Sequence, residues 1–341
     1  MVITKICNKN NDGRKLEINN FKKRIQSSNV NFLFGAGFSH GVADLLGNIE
    51  NLLAKAYEEN DINKIKALKE DFFKKSILPN IDDKKIQTNK KNRDAFLDLI
   101  KKIVDNRESS ILHKIVNVFT TNYDLLIECS LESNKIEYVD GFLGRINPVF
   151  STANYGCILN KQANISNMTT EITTFNVYKV HGSLNWSLEG NDIYRVDIKE
   201  RINKINDKIG TGDFLSEYDK LAIVNPSKNK LKQTVLEVNY YDQLRLYCNE
   251  LEKKNTILVA FGFSFEDEHI LQMTKRCLSS NPSLTLMIFA FNDDAVKAYE
   301  EKFKSFDSVI IYQLVDEYDA MMDFTQVEVN KIFEEVYNAT K

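Results

Sequence analysis

The sequence predicts an α/β fold: a Rossmann-like parallel sheet with helices on both faces and an inserted helical region. Three observations carry this expectation. Short unbroken apolar runs such as NVNFLF (29–34) and TILVAF (256–261) suit strands covered on both faces. From residue 255 onward such runs alternate with amphipathic helical periods, the pattern of βαβ crossovers. Glycine and polar residues gather directly after the runs, at the strand ends where open α/β sheets bind ligands.

Taken in order, residues 1 to 18 are polar and define no element, and NNFKKRIQSS has a weak helical period. NVNFLF is a buried strand bounded by glycine. NIENLLAKAYEEN (48–60) and DINKIKALKEDFFKKSI (61–77) space their apolar residues as helices do, with Asp61 as N-cap of the second and Pro79-Asn80 closing it. KNRDAFLDLIKKIVDN (91–106) is a further amphipathic helix. NVFTT (117–121) reads as a second buried strand and NYDLLIECSLES as the helix after it. Residues 139–173, rich in Gly, Asn, Ser and Thr, read as a long ordered loop or small insertion. FNVYKVHG (175–182) and LAIVNP (221–226) read as strands, the latter ended by Pro226.

The C-terminal part is the most regular. NTILVAFGFS is a strand and turn, EDEHILQMTKRCLSS a helix and LTLMIFAFN a strand. DAVKAYEEKFKS is a helix, SVIIYQL a strand and AMMDFTQVEVNKIFEEVYN a final helix. No internal repeat or flexible linker interrupts the chain. The expected organisation is therefore one domain over 1–341, with the core at 29–315, helical material inserted at 45–110 and a C-terminal helix in 316–341.

At 341 residues, with 43% hydrophobic and 27% charged residues, the chain can bury a sizeable core beneath a polar surface. A net charge of −3 argues against nucleic acid as a direct partner. The lysine pairs at 84–85, 90–91 and 101–102 lie among acids and amides and read as a solvated face. The five cysteines are scattered, without a Cys-x-x-Cys hook, which suits a reducing compartment. The segment MVITKICNKNNDGRK lacks the apolar centre of a signal peptide, and no apolar run is long enough to span a bilayer. A cytoplasmic protein is expected.

Candidate site residues follow from the strand-end rule. Gly35-Ala36-Gly37-Phe38-Ser39 follows the first apolar run. Glycines there allow a tight turn and let a phosphate approach without a Cβ in the way, and a helix starting next would add its N–H groups. A turn between strand and helix explains the same residues. The dinucleotide fingerprint is incomplete, because the third glycine position holds His40. Asn122 and Asp124 follow the second run, where an Asx cap on the next helix is the alternative. His181, in Lys-Val-His-Gly-Ser, is a candidate base or sugar contact, or a hydrogen-bonded turn histidine. Gly262 and Ser264 permit close approach of a phosphate or ribose. Glu266, Asp267 and Glu268 suit the first turn of a helix, with His269 on that helix. Asn292 suits either a ribose or adenine contact or an N-cap.

The ordered set Gly35-Ala36-Gly37-Phe38-Ser39, Thr121-Asn122-Tyr123-Asp124, His181-Gly182-Ser183 and Gly262-Phe263-Ser264 resembles the sirtuin superfamily across residues 29 to 315. It looks closest to the bacterial sirtuin-like proteins of antiphage defence, with their Thr-x-Asn-Tyr-Asp and His-Gly-Ser forms. The resemblance implies NAD as substrate. Gly35, Ala36, Gly37 and Ser39 would cradle the pyrophosphate. Asn122 and Asp124 would face the nicotinamide ribose, His181 would be catalytic, and Gly262, Ser264 and Asn292 would line the adenosine side. Phe38 or another aromatic would shield the pocket.

Two departures weigh against a deacylase. The paired cysteines of the deacylase zinc module are missing, so no zinc is expected. The stretch after the glycines reads Gly41-Val42-Ala43-Asp44-Leu45, without the family's Pro-Asp-Phe-Arg segment. The resemblance then implies hydrolysis of NAD to ADP-ribose and nicotinamide by a defence effector. The alternatives are a sensor that binds NAD or an ADP-ribose signal without turnover, a residual deacylase or ADP-ribosyltransferase, and a structural subunit. By the same analogy, a homo-oligomer or a HerA-type hexameric ATPase partner is expected to hold the activity in check.

Overall fold

A computed structural model describes the chain except residues 43–48, 108–110, 163–167, 191, 224–233 and 341, and the side chains of residues 50, 51 and 234–237. Strand β1 (Val2–Cys7), helix α1 (Asp12–Gln26) and strand β2 (Asn29–Phe34) come first. Helices α2 (Ile49–Glu58), α3 (Ile62–Phe72), α4 (Asp83–Gln87) and α5 (Lys90–Asp105) precede β3 (Ile115–Thr120) and α6 (Leu126–Ser133). Short strands follow: β4 (Glu137–Val139), β5 (Phe142–Leu143), β6 (Val149–Phe150), β7 (Asn160–Gln162) and β8 (Thr169–Glu171). They lead to β9 (Thr174–Lys179), β10 (Gly182–Glu189) and β11 (Asp192–Arg195), then α7 (Ile198–Asn206), α8 (Phe214–Tyr218), β12 (Leu221–Ile223) and α9 (Thr234–Leu251). The last elements are β13 (Thr256–Phe261), α10 (Glu268–Ser280), β14 (Leu284–Phe289), α11 (Asp293–Phe303), β15 (Val309–Val315), β16 (Met321–Met322) and α12 (Gln326–Thr340).

The main sheet has nine strands in the order β1-β15-β14-β13-β2-β3-β9-β4, with β16 beside β15. Every pairing in it is parallel except that of β16. Side chains alternate between two cores. Val30, Phe32 and Phe34 of β2 join α1, α5, α6 and α12 on one face. Leu33, Leu258 and Ala260 join α9, α10 and α11 on the other. Such burial on both faces explains why these strands are nearly continuous apolar runs. The fold is an α/β, Rossmann-like one.

A satellite module stands beside this sheet. A five-stranded sheet, β12-β10-β11-β6-β5, carries a third core in which Phe72, Phe73, Ile77, Ile202, Phe214 and Ile223 meet. Within the stretch 45–110, α3 thus belongs to the satellite, whereas Phe96, Leu97 and Ile100 of α5 lie in the core of the main sheet.

Several elements differ from the sequence expectation. The N-terminal residues form an edge strand, β1, although their side chains are largely exposed, because the backbone pairs in parallel with β15. The stretch 221–226 supplies β12 to the satellite sheet, antiparallel to β10; Val224 to Pro226 lie outside the described residues. The final helix begins at Gln326, six residues later than its period predicts. Asp316 accepts hydrogen bonds from the amides of Tyr318 (2.8 Å) and Ala320 (3.0 Å), so the chain turns and Met321–Met322 pair with β15.

One polar feature crosses the core. Asn31, Asn117 and Asn176 occupy matched positions on β2, β3 and β9. Asn176 donates to Asn117 (2.9 Å), Asn117 donates to Asn31 (2.9 Å), and Asn31 donates to the Ile257 carbonyl (3.2 Å). A one-residue slip of any of these strands would bury these amides unpaired, so the ladder fixes register.

Candidate active site

Order in the sheet locates the crevice. From β2 the chain moves to β3 on one side, and from β13 it moves to β14 on the other, while β2 and β13 are neighbours. Their carboxyl ends therefore flank a topological switch point, where α/β sheets open to ligands. The Gly35 loop follows β2 and the Gly262 loop follows β13.

These two loops pack on each other. The Gly37 amide donates to the Gly262 carbonyl (3.0 Å). A Cβ on Gly35 would lie 2.4 Å from the Gly262 carbonyl oxygen, and one on Gly37 would lie 2.6 Å from Gly262 Cα. Gly262 also has a φ of +63°. The glycines are thus required by loop-to-loop contact, and the space their missing side chains leave is filled by protein. No long helix follows the first loop directly: Ala36–Ser39 form a single 3-10 turn. Phe38 corrects another expectation. It stacks on Phe34 at 4.6 Å and is fully buried in the core, so it shields no pocket.

The loop after β3 adds the polar centre. Asn122 Nδ2 donates to the Gly35 carbonyl and to Ser39 Oγ, both at 2.8 Å. Ser39 Oγ donates in turn to Asp124 Oδ2 at 2.5 Å. Asp124 Oδ1 accepts from the Leu126 amide (3.0 Å), so this carboxylate also caps the turn into α6. Ser39 and Asp124 are buried, and Asn122 is half-buried. With both amide hydrogens engaged, Asn122 keeps only Oδ1 for a water or hydroxyl. Ser39, read from the sequence as a phosphate contact, spends its hydroxyl on Asn122 and Asp124. Tyr123, between them, packs against the satellite core.

A buried ion pair supports this loop from beneath. Lys179, at the end of β9, donates to the Asp124 carbonyl and lies 3.1 Å from Glu128. Burial pushes the Glu128 carboxyl above its usual range, and the Lys179 charge opposes that rise. Burial likewise lowers the Arg93 guanidinium, with the nearby Asp124 charge acting against it.

His181 sits where the chain passes from β9 into β10 of the satellite. Gly182 makes the passage possible: its φ is +82°, and a Cβ there would lie 2.1 Å from the Ala222 carbonyl oxygen. Ser183 Oγ donates to the Tyr123 carbonyl at 3.4 Å, tying the His-Gly-Ser turn to the Asn122 loop. His181 Nε2 lies 3.1 Å from Asp267 Oδ2. The Tyr240 ring of α9 stands 5.8 Å from the imidazole. Burial raises the Tyr240 hydroxyl above its usual range, and the Asp267 charge adds to the rise.

The remaining candidates lie around the rim. Ala36 and Ser264 are exposed, and the Ser264 carbonyl is held by Lys302 at 3.0 Å. Asn292 caps α11, accepting from the Ala295 amide at 2.9 Å. His40 is exposed, and its carbonyl accepts from Asn89 at 3.4 Å. Sequence reasoning gave Asp267 a capping role alone; its proximity to His181, 86 positions away, has no local signature. A surface cleft of about 250 Å³ lined by Thr4, Arg24, Thr285 and Asp307 lies at the opposite, amino end of β14 and β15. Among the described residues no group of His, Cys, Asp or Glu side chains could hold a metal ion, and no helix is long and apolar enough to cross a membrane.

A family model described as a SIR2-like domain matches residues 116–310, more than half of the chain. The match runs from β3 into β15, so it includes Asn122, Asp124, His181 and Gly262 and stops short of the Gly35 loop. No curated protein matches the chain.

Proposed function

The chain belongs to the SIR2-like domain family, and from that premise we propose that it hydrolyses NAD to ADP-ribose and nicotinamide. The observation that carries the reading is the Asn122–Ser39–Asp124 chain of hydrogen bonds beside the switch-point loops, with His181 joined to it through Ser183 and Tyr123. The residues present fit the nicotinamide ribose. Asn122 Oδ1 and the imidazole of His181 are polar groups suited to water and sugar hydroxyls. At the pyrophosphate end, Ala36 and the exposed Ser264 are the residues left to meet the ligand, since Gly35, Gly37 and Gly262 press on one another.

The chemistry asks little of an acid. The bond that breaks joins the ribose anomeric carbon to a cationic pyridinium, and its electron pair neutralises the departing nicotinamide. Water adds to the anomeric carbon through an oxocarbenium-like transition state. Asn122 Oδ1 orients that water, and Ser39 and Asp124 hold the carboxamide in place. His181 takes the proton that the water loses, directly or through a ribose hydroxyl. Asp124 adds negative charge near the developing cation, passed through Ser39.

Incubation with NAD and product analysis tests the reading, with Asn122→Ala and His181→Ala as controls. The expected result is equal release of ADP-ribose and nicotinamide by the wild type, and loss by both variants. Binding without turnover identifies a sensor, and nicotinamide release that requires an acylated peptide identifies a deacylase. The defence role and control by self-assembly or by a HerA-type ATPase belong to the same proposal. Their support is the resemblance of the motifs, and mass in solution with and without such an ATPase tests the assembly.

A further inference from the structure

We propose that Asp267 is the positioning residue of His181, fixing which imidazole nitrogen carries the proton and stabilising the imidazolium formed in the reaction. This rests on the reading of His181 as the base. Asp267 divides its carboxylate between two tasks. Oδ1 caps α10 through the amides of His269 (3.1 Å) and Ile270 (3.3 Å), while Oδ2 lies 3.1 Å from His181 Nε2. The cap pins the carboxylate, and the helix N-terminus favours its charge. Both side chains are less than a tenth exposed, at 9% and 8%, so water screens their attraction weakly.

The contact acts through charge proximity, outside hydrogen-bond geometry: a fixed carboxylate 3.1 Å from Nε2 repels a lone pair there, which favours the proton on Nε2 and leaves Nδ1 as the basic nitrogen. When Nδ1 takes a proton, the imidazolium gains an adjacent counter-charge. Among the described residues, the titratable groups whose rings stand nearest are Tyr240, which flanks His181, and His269, whose ring stands 6.3 Å from Tyr240. The Tyr240 hydroxyl is buried and has no partner among the described residues. Burial raises this hydroxyl, so it supplies no competing charge beside the imidazole.

The test reads the imidazole without any substrate. Nitrogen-15 NMR of the histidine rings gives tautomer and titration midpoint, and His181→Gln identifies the His181 signal. Asp267→Asn and Asp267→Ser remove the charge yet remain good helix caps, so at least one folded variant is expected. The expected result is a wild-type ring protonated at Nε2, with that preference lost and the midpoint moved to lower pH in the variants. Turnover of NAD should fall at least about 10-fold with KM nearly unchanged, and the acidic limb of the kcat/KM profile should move the same way. An unchanged tautomer and midpoint in a folded variant would overturn the proposal even if NAD is hydrolysed. A changed ring in a protein that leaves NAD intact would keep the Asp267–His181 pairing and sink the hydrolase reading instead.

Discussion

Asn122 holds its side chain with two donated hydrogen bonds, and neither partner is a residue near it in sequence. Removing the carboxamide should therefore cost catalysis more than binding. Asn122→Ala is expected to lower kcat by about 100-fold, the scale of one lost polar contact to a transition state, while calorimetry finds NAD affinity within a few-fold of wild type. Ser39→Ala separates position from chemistry. It leaves Asn122 in place with one anchor fewer and Asp124 short of a donor, at a cost of about 1–2 kcal/mol in stability. Turnover should fall by less than in Asn122→Ala; an equal or greater fall in a folded protein would give Ser39 a direct role. At this scale the sequence made the placement of Asn122, Asp124 and His181 just beyond the strand ends legible, because each is a polar residue following an apolar run. Ser39 reads from the sequence as a phosphate contact and Asp267 as a helix cap, and the cap is what the structure shows, but their meetings with Asp124 and His181 were not legible. Their contacts span 85 and 86 positions, and nothing local encodes such a meeting. Phe38 reads from the sequence as one aromatic that would shield the pocket, whereas the 3-10 turn folds this ring back onto Phe34.

Two loops and one ladder set the geometry among elements. Gly37→Ala would force a Cβ to 2.6 Å from Gly262 Cα, and neither backbone can yield without parting β2 from β13. A loss of about 1–3 kcal/mol is expected from the overlap, measured by chemical denaturation, with reduced NAD turnover in whatever stays folded. The Gly-Ala-Gly signal was plain in the sequence, but its cause was ambiguous between ligand and packing. The Gly262 loop resolves the packing half of it. The ladder makes a second stability test. Asn117→Ala leaves Asn31 Oδ1 and Asn176 Nδ2 without their partner and should cost about 2–4 kcal/mol. A variant as stable as wild type would mean that the strands keep register through their apolar faces alone. Periodicity could not disclose the ladder, because an asparagine inside a strand reads as an interruption until its neighbours are known.

The molecule as a whole divides into what repeats locally and what does not. The β13–α10–β14–α11–β15 run was legible to within a few residues, since each piece announces itself by burial on two faces or one. The satellite was not, because its core joins side chains from α3, β10, α7, α8 and β12, scattered over some hundred and fifty positions. Yet this module borders the candidate site: the chain enters it at His181, and Tyr123 packs against its core. The central claim is that the two units together hydrolyse NAD, and one measurement tests it most directly. Purified protein is incubated with NAD, and the products are separated and quantified over time. The expected result is one ADP-ribose and one nicotinamide for each NAD consumed, with no peptide added, and no conversion by His181→Ala. Intact NAD after prolonged incubation with folded wild-type protein, in every assembly state obtained, would contradict it.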